Sequence, residues 1–230
     1  MPGGGATIED MADSRETFAS LTLAEFSDRL ASADPVPGGG SASAVVGSVA
    51  ASLLAMVARL SLDRPKYEPY RATNERALAS AEAARDRLLE LADEDARAYA
   101  GFAAARKLPR DTAEQEEARE RATQVAARES TEAPMAAVRE AGRLLEEVVA
   151  IAGRSNVNAA SDLEVAGRLA AAAAHGAGAN VMINLPMVGD ESYAGEVKVE
   201  LNKLLREVDR TLARVSQYVA RGSLRDPERG

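Results

Sequence analysis

The segment Pro35-Val36-Pro37-Gly38-Gly39-Gly40-Ser41 runs almost directly into the apolar stretch Ala44-Val45-Val46-Gly47-Ser48-Val49-Ala50-Ala51-Ser52-Leu53-Leu54-Ala55-Met56-Val57-Ala58-Arg59-Leu60. The prolines hold the approach extended, and the glycines remove every Cβ from a helix entry and open φ > 0 conformations. Ser41 has a side chain suited to cap the helix that follows. Together these features predict a bare, electropositive helix N-terminus that an oxygen or an anion can approach closely. Neither GxxxxGK[ST] nor a strand-bounded GxGxxG is present, so this is not a nucleotide phosphate loop of the known kinds. The alternative reading of the same residues is a tightly packed helix entry.

Outward from this segment, every periodic stretch is helical. Thr22 with Glu25 forms a capping box that predicts a short helix over 23–31, ended at Asp34-Pro35. The buried helix extends over 41–61, where Gly47 and Ala51, with Ala44 and Ala55, leave a small surface for a neighbouring helix. Pro65 and Pro69 mark a connector, after which 72–106 is helical in composition. A charged helix over 112–130 ends near Pro134, which suits the first turn of another helix reaching 151. The loop 153–158 precedes an alanine-rich helix over 159–184, and Pro186 and Gly189 separate that from an amphipathic helix over 193–219. The fold class is therefore all-α, a single-domain bundle of long antiparallel helices. The apolar 44–58 segment falls short of the ~20 residues a membrane span needs and reads as a buried core helix.

With 46% hydrophobic but only 3% aromatic residues and no Trp, the core must come from small and aliphatic side chains in closely approaching helices. A net charge of −8 argues against a nucleic-acid partner. Absence of cysteine removes disulfides, thiolate metal sites and a cysteine nucleophile, and fits a cytoplasmic setting. The lone His175 excludes a His-cluster metal site, so no metal is expected. Residues 1–20 lack the basic start and apolar run of a signal peptide and read as a flexible leader, with 221–230 as a frayed tail.

Leu88, Leu91, Asp95, Ala98, Tyr99 and Phe102 keep helical spacing and form one face, which sets the Asp95 carboxylate among apolar and aromatic neighbours. Loss of hydration raises the pKa of such a group and suits it to acid and base work near neutral pH; a buried Asp pairing with another helix is the alternative. Asn180 and Asn184 share a face with Ala173 and Gly176, and either bridge helices or meet a flat heteroaromatic ligand. Asp162 has the same wheel angle as Asn180 but lies ~27 Å away along a straight helix. Either it caps its own helix, or two subunits bring opposite ends of that helix to one site. Lys66 and Tyr67 could hold a ligand carboxylate or stand as solvated connector residues.

In order along the chain, Pro35-Val36-Pro37-Gly38-Gly39-Gly40-Ser41, Lys66-Tyr67, Asp95-Ala96-Arg97-Ala98-Tyr99, Leu108-Pro109, Asn156 with Ser161-Asp162, and Asn180-Val181-Met182-Ile183-Asn184 resemble the cyclodeaminase/cyclohydrolase family. The resemblance spans about 21–219. It implies an all-helical domain over 21–220, a homodimer, and a tetrahydrofolate substrate with no other cofactor. The activity implied is folate one-carbon chemistry, either methenyltetrahydrofolate cyclohydrolase or formiminotetrahydrofolate cyclodeaminase. By the same resemblance Asp95 is the catalytic acid, and Pro37, Gly38, Gly39, Gly40, Ser41, Lys66, Tyr99, Asn156, Asp162, Asn180 and Asn184 contact substrate. The loop Arg154-Ser155-Asn156-Val157-Asn158 departs from the family, in which a Gly-Asn pair is expected before Asp162. A helical folate-binding or scaffold protein without catalysis is the competing expectation.

Overall fold

The computed structural model describes residues 17–62 and 64–227. Among them the α-helices are α1 (Leu23–Leu30), α2 (Gly39–Leu62), α3 (Arg71–Ala105), α4 (Ala113–Ile151), α5 (Ala160–Asn184) and α6 (Glu191–Arg221), with 3-10 turns at Phe18–Ser20, Pro65–Tyr70, Val157–Ala159 and Leu185–Met187 and no strand. The fold is all-α, as the sequence predicts.

Helices α2, α3, α4 and α5 form a ring in which each packs on the next and α5 returns to α2, while α6 lies in the groove between α4 and α5. Short connectors make the successive helices from α2 to α6 antiparallel. Ser41 at the start of α2 meets Asp95 late in α3, and Arg76 early in α3 pairs with Glu147 late in α4. α6 runs parallel to α4, since Tyr193 meets Glu132, Glu200 meets Arg139 and Thr211 meets Glu146 in sequence order.

Small residues set the interhelical distance at the centre. Ala50, Ala51, Ala77, Ala81, Ala141, Ala166, Ala170 and Ala174 are fully buried. At Gly47 a Cβ would stand 3.1 Å from Leu88 Cδ1 and 3.3 Å from Ala173 Cβ, so α2 touches α3 and α5 at one point because that residue has no side chain. α2 is 24 residues long, and by length and composition it could cross a membrane, so the shortness inferred from sequence does not hold. Its core character follows instead from packing, with Ala50, Ala51, Leu54, Val57 and Ala58 covered by its neighbours.

Four further expectations are corrected. α2 begins at Gly39, with Ala42 N–H donating to Gly38 O at 2.9 Å, so Ser41 lies inside the first turn and its hydroxyl turns to α3 instead of capping. α4 is one helix of 39 residues, not two, and passes through Pro134 because its buried face is held by α3 and α5 on both sides of the proline. The last residues assigned to the leader belong to the fold: Phe18 is buried edge-on to Phe26 and its N–H donates to Asp93 Oδ1 at 2.9 Å, while 1–16 lie outside the described residues. As far as residue 227 the tail is tied down through Arg225, whose guanidinium donates to Val149 O and Ala152 O and stacks on Tyr218 at 3.6 Å, while 228–230 lie outside the described residues.

Candidate active site

Asp95 sits on α3 opposite the first turn of α2. Leu88, Leu91 and Phe102 on its face are buried as the spacing predicts, and Asp95 itself is half-buried. Ser41 Oγ lies 2.9 Å from Asp95 Oδ2 and 3.1 Å from Ala92 O. A Cβ on Gly40 would overlap the Asp95 carboxyl group, standing 2.6 Å from both Cγ and Oδ2, so glycine is what admits the carboxylate to the helix entry. Burial pushes the Asp95 carboxyl above its ordinary value, and the Ser41 hydroxyl and backbone N–H oppose that shift. The first-turn N–H groups of α2 have no partner within the helix.

Ser41 can serve both protonation states of this acid. A hydroxyl has one hydrogen and two lone pairs. With Asp95 ionised, the Ser41 hydrogen goes to Oδ2. With Asp95 protonated, that hydrogen goes to Ala92 O and Ser41 Oγ accepts from the carboxyl O–H. The carboxyl can lose and regain a proton without leaving a buried polar atom unpaired.

The other side of the glycine loop is formed by α5. Asn180 Nδ2 would lie 3.3 Å from a Cβ on Gly39, and that amide donates to Gly176 O at 2.9 Å. At Gly176 a Cβ would collide with Ser43, whose hydroxyl in turn donates to Gly39 O at 2.6 Å. Asn184, one turn on, is half-buried and donates through Nδ2 to Ser130 O of α4 at 2.6 Å. Pro37 and Gly40 are buried, Gly38 is half-buried and Gly39 is exposed. Tyr99, one turn past Asp95, is 40% exposed and stands at the rim of the apolar face instead of within it.

Lys66, Asn156 and Asp162 lie at the opposite end of the bundle. Asn156 N–H donates to Ser61 Oγ at 2.8 Å, its Oδ1 accepts from Asn158 N–H, and Val157 N–H donates to the Tyr67 hydroxyl at 3.1 Å. Ser41 and Ser61 are about 30 Å apart along α2 at 1.5 Å per residue, so one chain does not bring these residues to Asp95. Asn156 is buried and caps the 3-10 turn at Val157–Ala159. Asp162 lies in the first turn of α5 and is not its cap, since the N-cap position is Ala159. Lys66 is exposed, with Nζ 5.5 Å from the Tyr67 ring centre. His175 is exposed and paired with Asp209 on α6.

Sequence reasoning missed Ser43 and Ser130. Ser130 lies four residues before Pro134, and that spacing is the signal that its carbonyl lacks the N–H that would ordinarily reach it from four residues on.

Among known proteins, the family model described as formiminotransferase-cyclodeaminase matches residues 22–203. The chain is similar to the methenyltetrahydrofolate cyclohydrolase of Methylorubrum extorquens, at 32% identity over 198 residues covering 86% of this chain and 95% of that protein. It is also 32% identical to the formimidoyltransferase-cyclodeaminase of Sus scrofa over 85% of this chain, and spans only 36% of that longer relative. The crystal structure of formiminotetrahydrofolate cyclodeaminase from Thermotoga maritima has the same fold, with a TM-score of 0.80 at 30% identity over 88% of this chain and 97% of that one.

Proposed function

The chain belongs to the formiminotransferase-cyclodeaminase family, and on that premise we propose that it is a folate one-carbon enzyme that makes or opens the methenyl bridge of tetrahydrofolate in the cytoplasm, with Asp95 as its acid and base. The observation that carries this reading is Asp95 held against the glycine-lined start of α2, with Ser41 able to pair with either protonation state.

Both candidate reactions pass through a tetrahedral carbon between the pterin nitrogen and the neighbouring bridge nitrogen. In the cyclodeaminase reaction the bridge nitrogen attacks the formimino carbon, protonated Asp95 gives its proton to the departing amine, ammonia leaves, and the methenyl cation remains. In the cyclohydrolase reaction ionised Asp95 favours the cation, takes a proton from the attacking water, and returns it to the pterin nitrogen as that carbon–nitrogen bond breaks, leaving the formyl group on the bridge nitrogen and one proton in solution. The first-turn amides of α2 at Gly39 and Gly40 suit a pterin oxygen or a carboxylate, and Asn180 and Asn184 suit the ring edge.

The absorbance of the methenyl chromophore, followed with formiminotetrahydrofolate and with methenyltetrahydrofolate, tests the proposal. Turnover of at least one, lost in D95N, is expected. No turnover of either sinks it, and binding indifferent to Asp95 would favour a non-catalytic folate-binding protein.

Two observations support a homodimer with shared sites. Val49, Met56 and Leu60 on α2 and Val165 on α5 form an exposed apolar stripe along the ring. The residues matched to substrate contacts also fall at two ends of one chain, and a two-fold partner with antiparallel α2 helices would bring Lys66 and Asp162 of one copy toward Asp95 of the other.

A further inference from the structure

Pro134 lies inside α4, where an ordinary residue would donate its N–H to Ser130 O four positions back. Proline has no N–H, and its ring crowds that carbonyl away from the helix axis. The oxygen left over accepts Asn184 Nδ2–H from α5 at 2.6 Å. Ser130 also faces α3, where its hydroxyl donates to Ala98 O at 3.2 Å, one turn beyond Asp95. One turn of α4 is thus joined both to the segment of α3 that carries Asp95 and to the end of α5 that carries the two asparagines. That turn is firmly held, with Thr131, Ala133, Pro134 and Met135 all buried.

A carboxamide has two chemically different ends that can exchange by a flip. Opposite a carbonyl, only the amine end can face inward. Ser130 O therefore fixes the Asn184 side chain with its oxygen turned the other way, and among the described residues that Oδ1 meets no donor. We propose that Pro134 is a positioning residue for the active site: by withholding its own N–H it reserves Ser130 O for Asn184, which then presents Oδ1 as a fixed acceptor to the N–H donors of the substrate's heteroaromatic ring. This rests on the functional reading above, in which Asn184 faces the folate.

Restoring the N–H with P134A gives Ser130 O a partner within α4 and releases Asn184. The expected result is a KM raised about 5- to 10-fold, the loss of roughly one hydrogen bond, with kcat within about twofold and a thermal midpoint that is not lowered. The double variant P134A/N184A should have the KM of N184A alone. In 15N-labelled protein without substrate, the Asn184 amide signals, assigned by their loss in N184A, should shift and exchange faster in P134A. Unmoved amide signals, an unchanged KM, or KM effects that multiply in the double variant each overturn the proposal. Absence of turnover in the wild-type protein would overturn the functional reading, and the amide signals report the Pro134–Asn184 link separately from it.

Discussion

The proposed chemistry rests on a single ionisation, that of Asp95. Its raised carboxyl pKa means that the folded protein holds this proton more tightly than the unfolded chain does. The stability this provides is fully present below the unfolded pKa and is lost as pH rises through the folded one. D95N should therefore flatten that part of the pH dependence of stability, hold or raise the thermal midpoint, and cut turnover about 100- to 10,000-fold. The rate profile of the wild-type enzyme separates the two reactions: ammonia release needs the protonated acid and should decline as pH rises through the Asp95 pKa, whereas water attack needs the anion and should increase. Gly40 is tested by G40A, whose new Cβ occupies the place of the Asp95 carboxyl. Turnover at least about tenfold lower, with helical circular dichroism intact, is the expected outcome. Asp95 was readable from sequence because Leu88, Leu91 and Phe102 place it on a buried stripe. The overlap with Gly40 was not, since those residues are 55 positions apart and meet only when α2 and α3 pack.

At the scale of the helix, spacing of small residues decides how closely the elements approach. Gly47 touches Leu88 and Ala173 at once, so G47V must push α2 away from both neighbours. A loss of about 1–3 kcal/mol, read as a lower urea midpoint, is expected. Element boundaries followed from local chemistry where local chemistry was uncontested. The Thr22–Glu25 capping box forms as predicted, with Thr22 N–H donating to Glu25 and Glu25 N–H donating back to Thr22. In the sequence Pro134 marks a break, because a missing N–H and a ring clash disfavour helix on their own. Within the bundle, burial of the residues on either side outweighs that penalty, and Asn184 supplies the hydrogen bond that the helix lacks.

The molecule as a whole has two distinct ends. Asp95, the glycine loop, Asn180 and Asn184 occupy one, and the Arg225 strap, Asn156, Lys66 and Asp162 occupy the other. R225A removes bonds to two carbonyls at the end of α4 and the stacking on Tyr218. It should cost about 1–3 kcal/mol by denaturant melting. If partners share their sites, D95N and D162A will each be inactive alone, and a refolded equal mixture will recover about a quarter of wild-type turnover through hybrid dimers. No recovery, with dimers seen by sedimentation, would place each site within one chain.

By itself the sequence determined that the chain is all helix, that its helices pack closely through glycine and alanine, and that a carboxylate lies on a buried face, because periodicity, caps and side-chain size act within a few turns of one helix. Only tertiary structure decided what that carboxylate faces, that Ser41 serves it instead of capping α2, that α4 runs through its proline, and that Lys66, Asn156 and Asp162 stand far from Asp95. These depend on which ends of different helices are brought together, and antiparallel packing of long elements fixes that at distances no local pattern encodes.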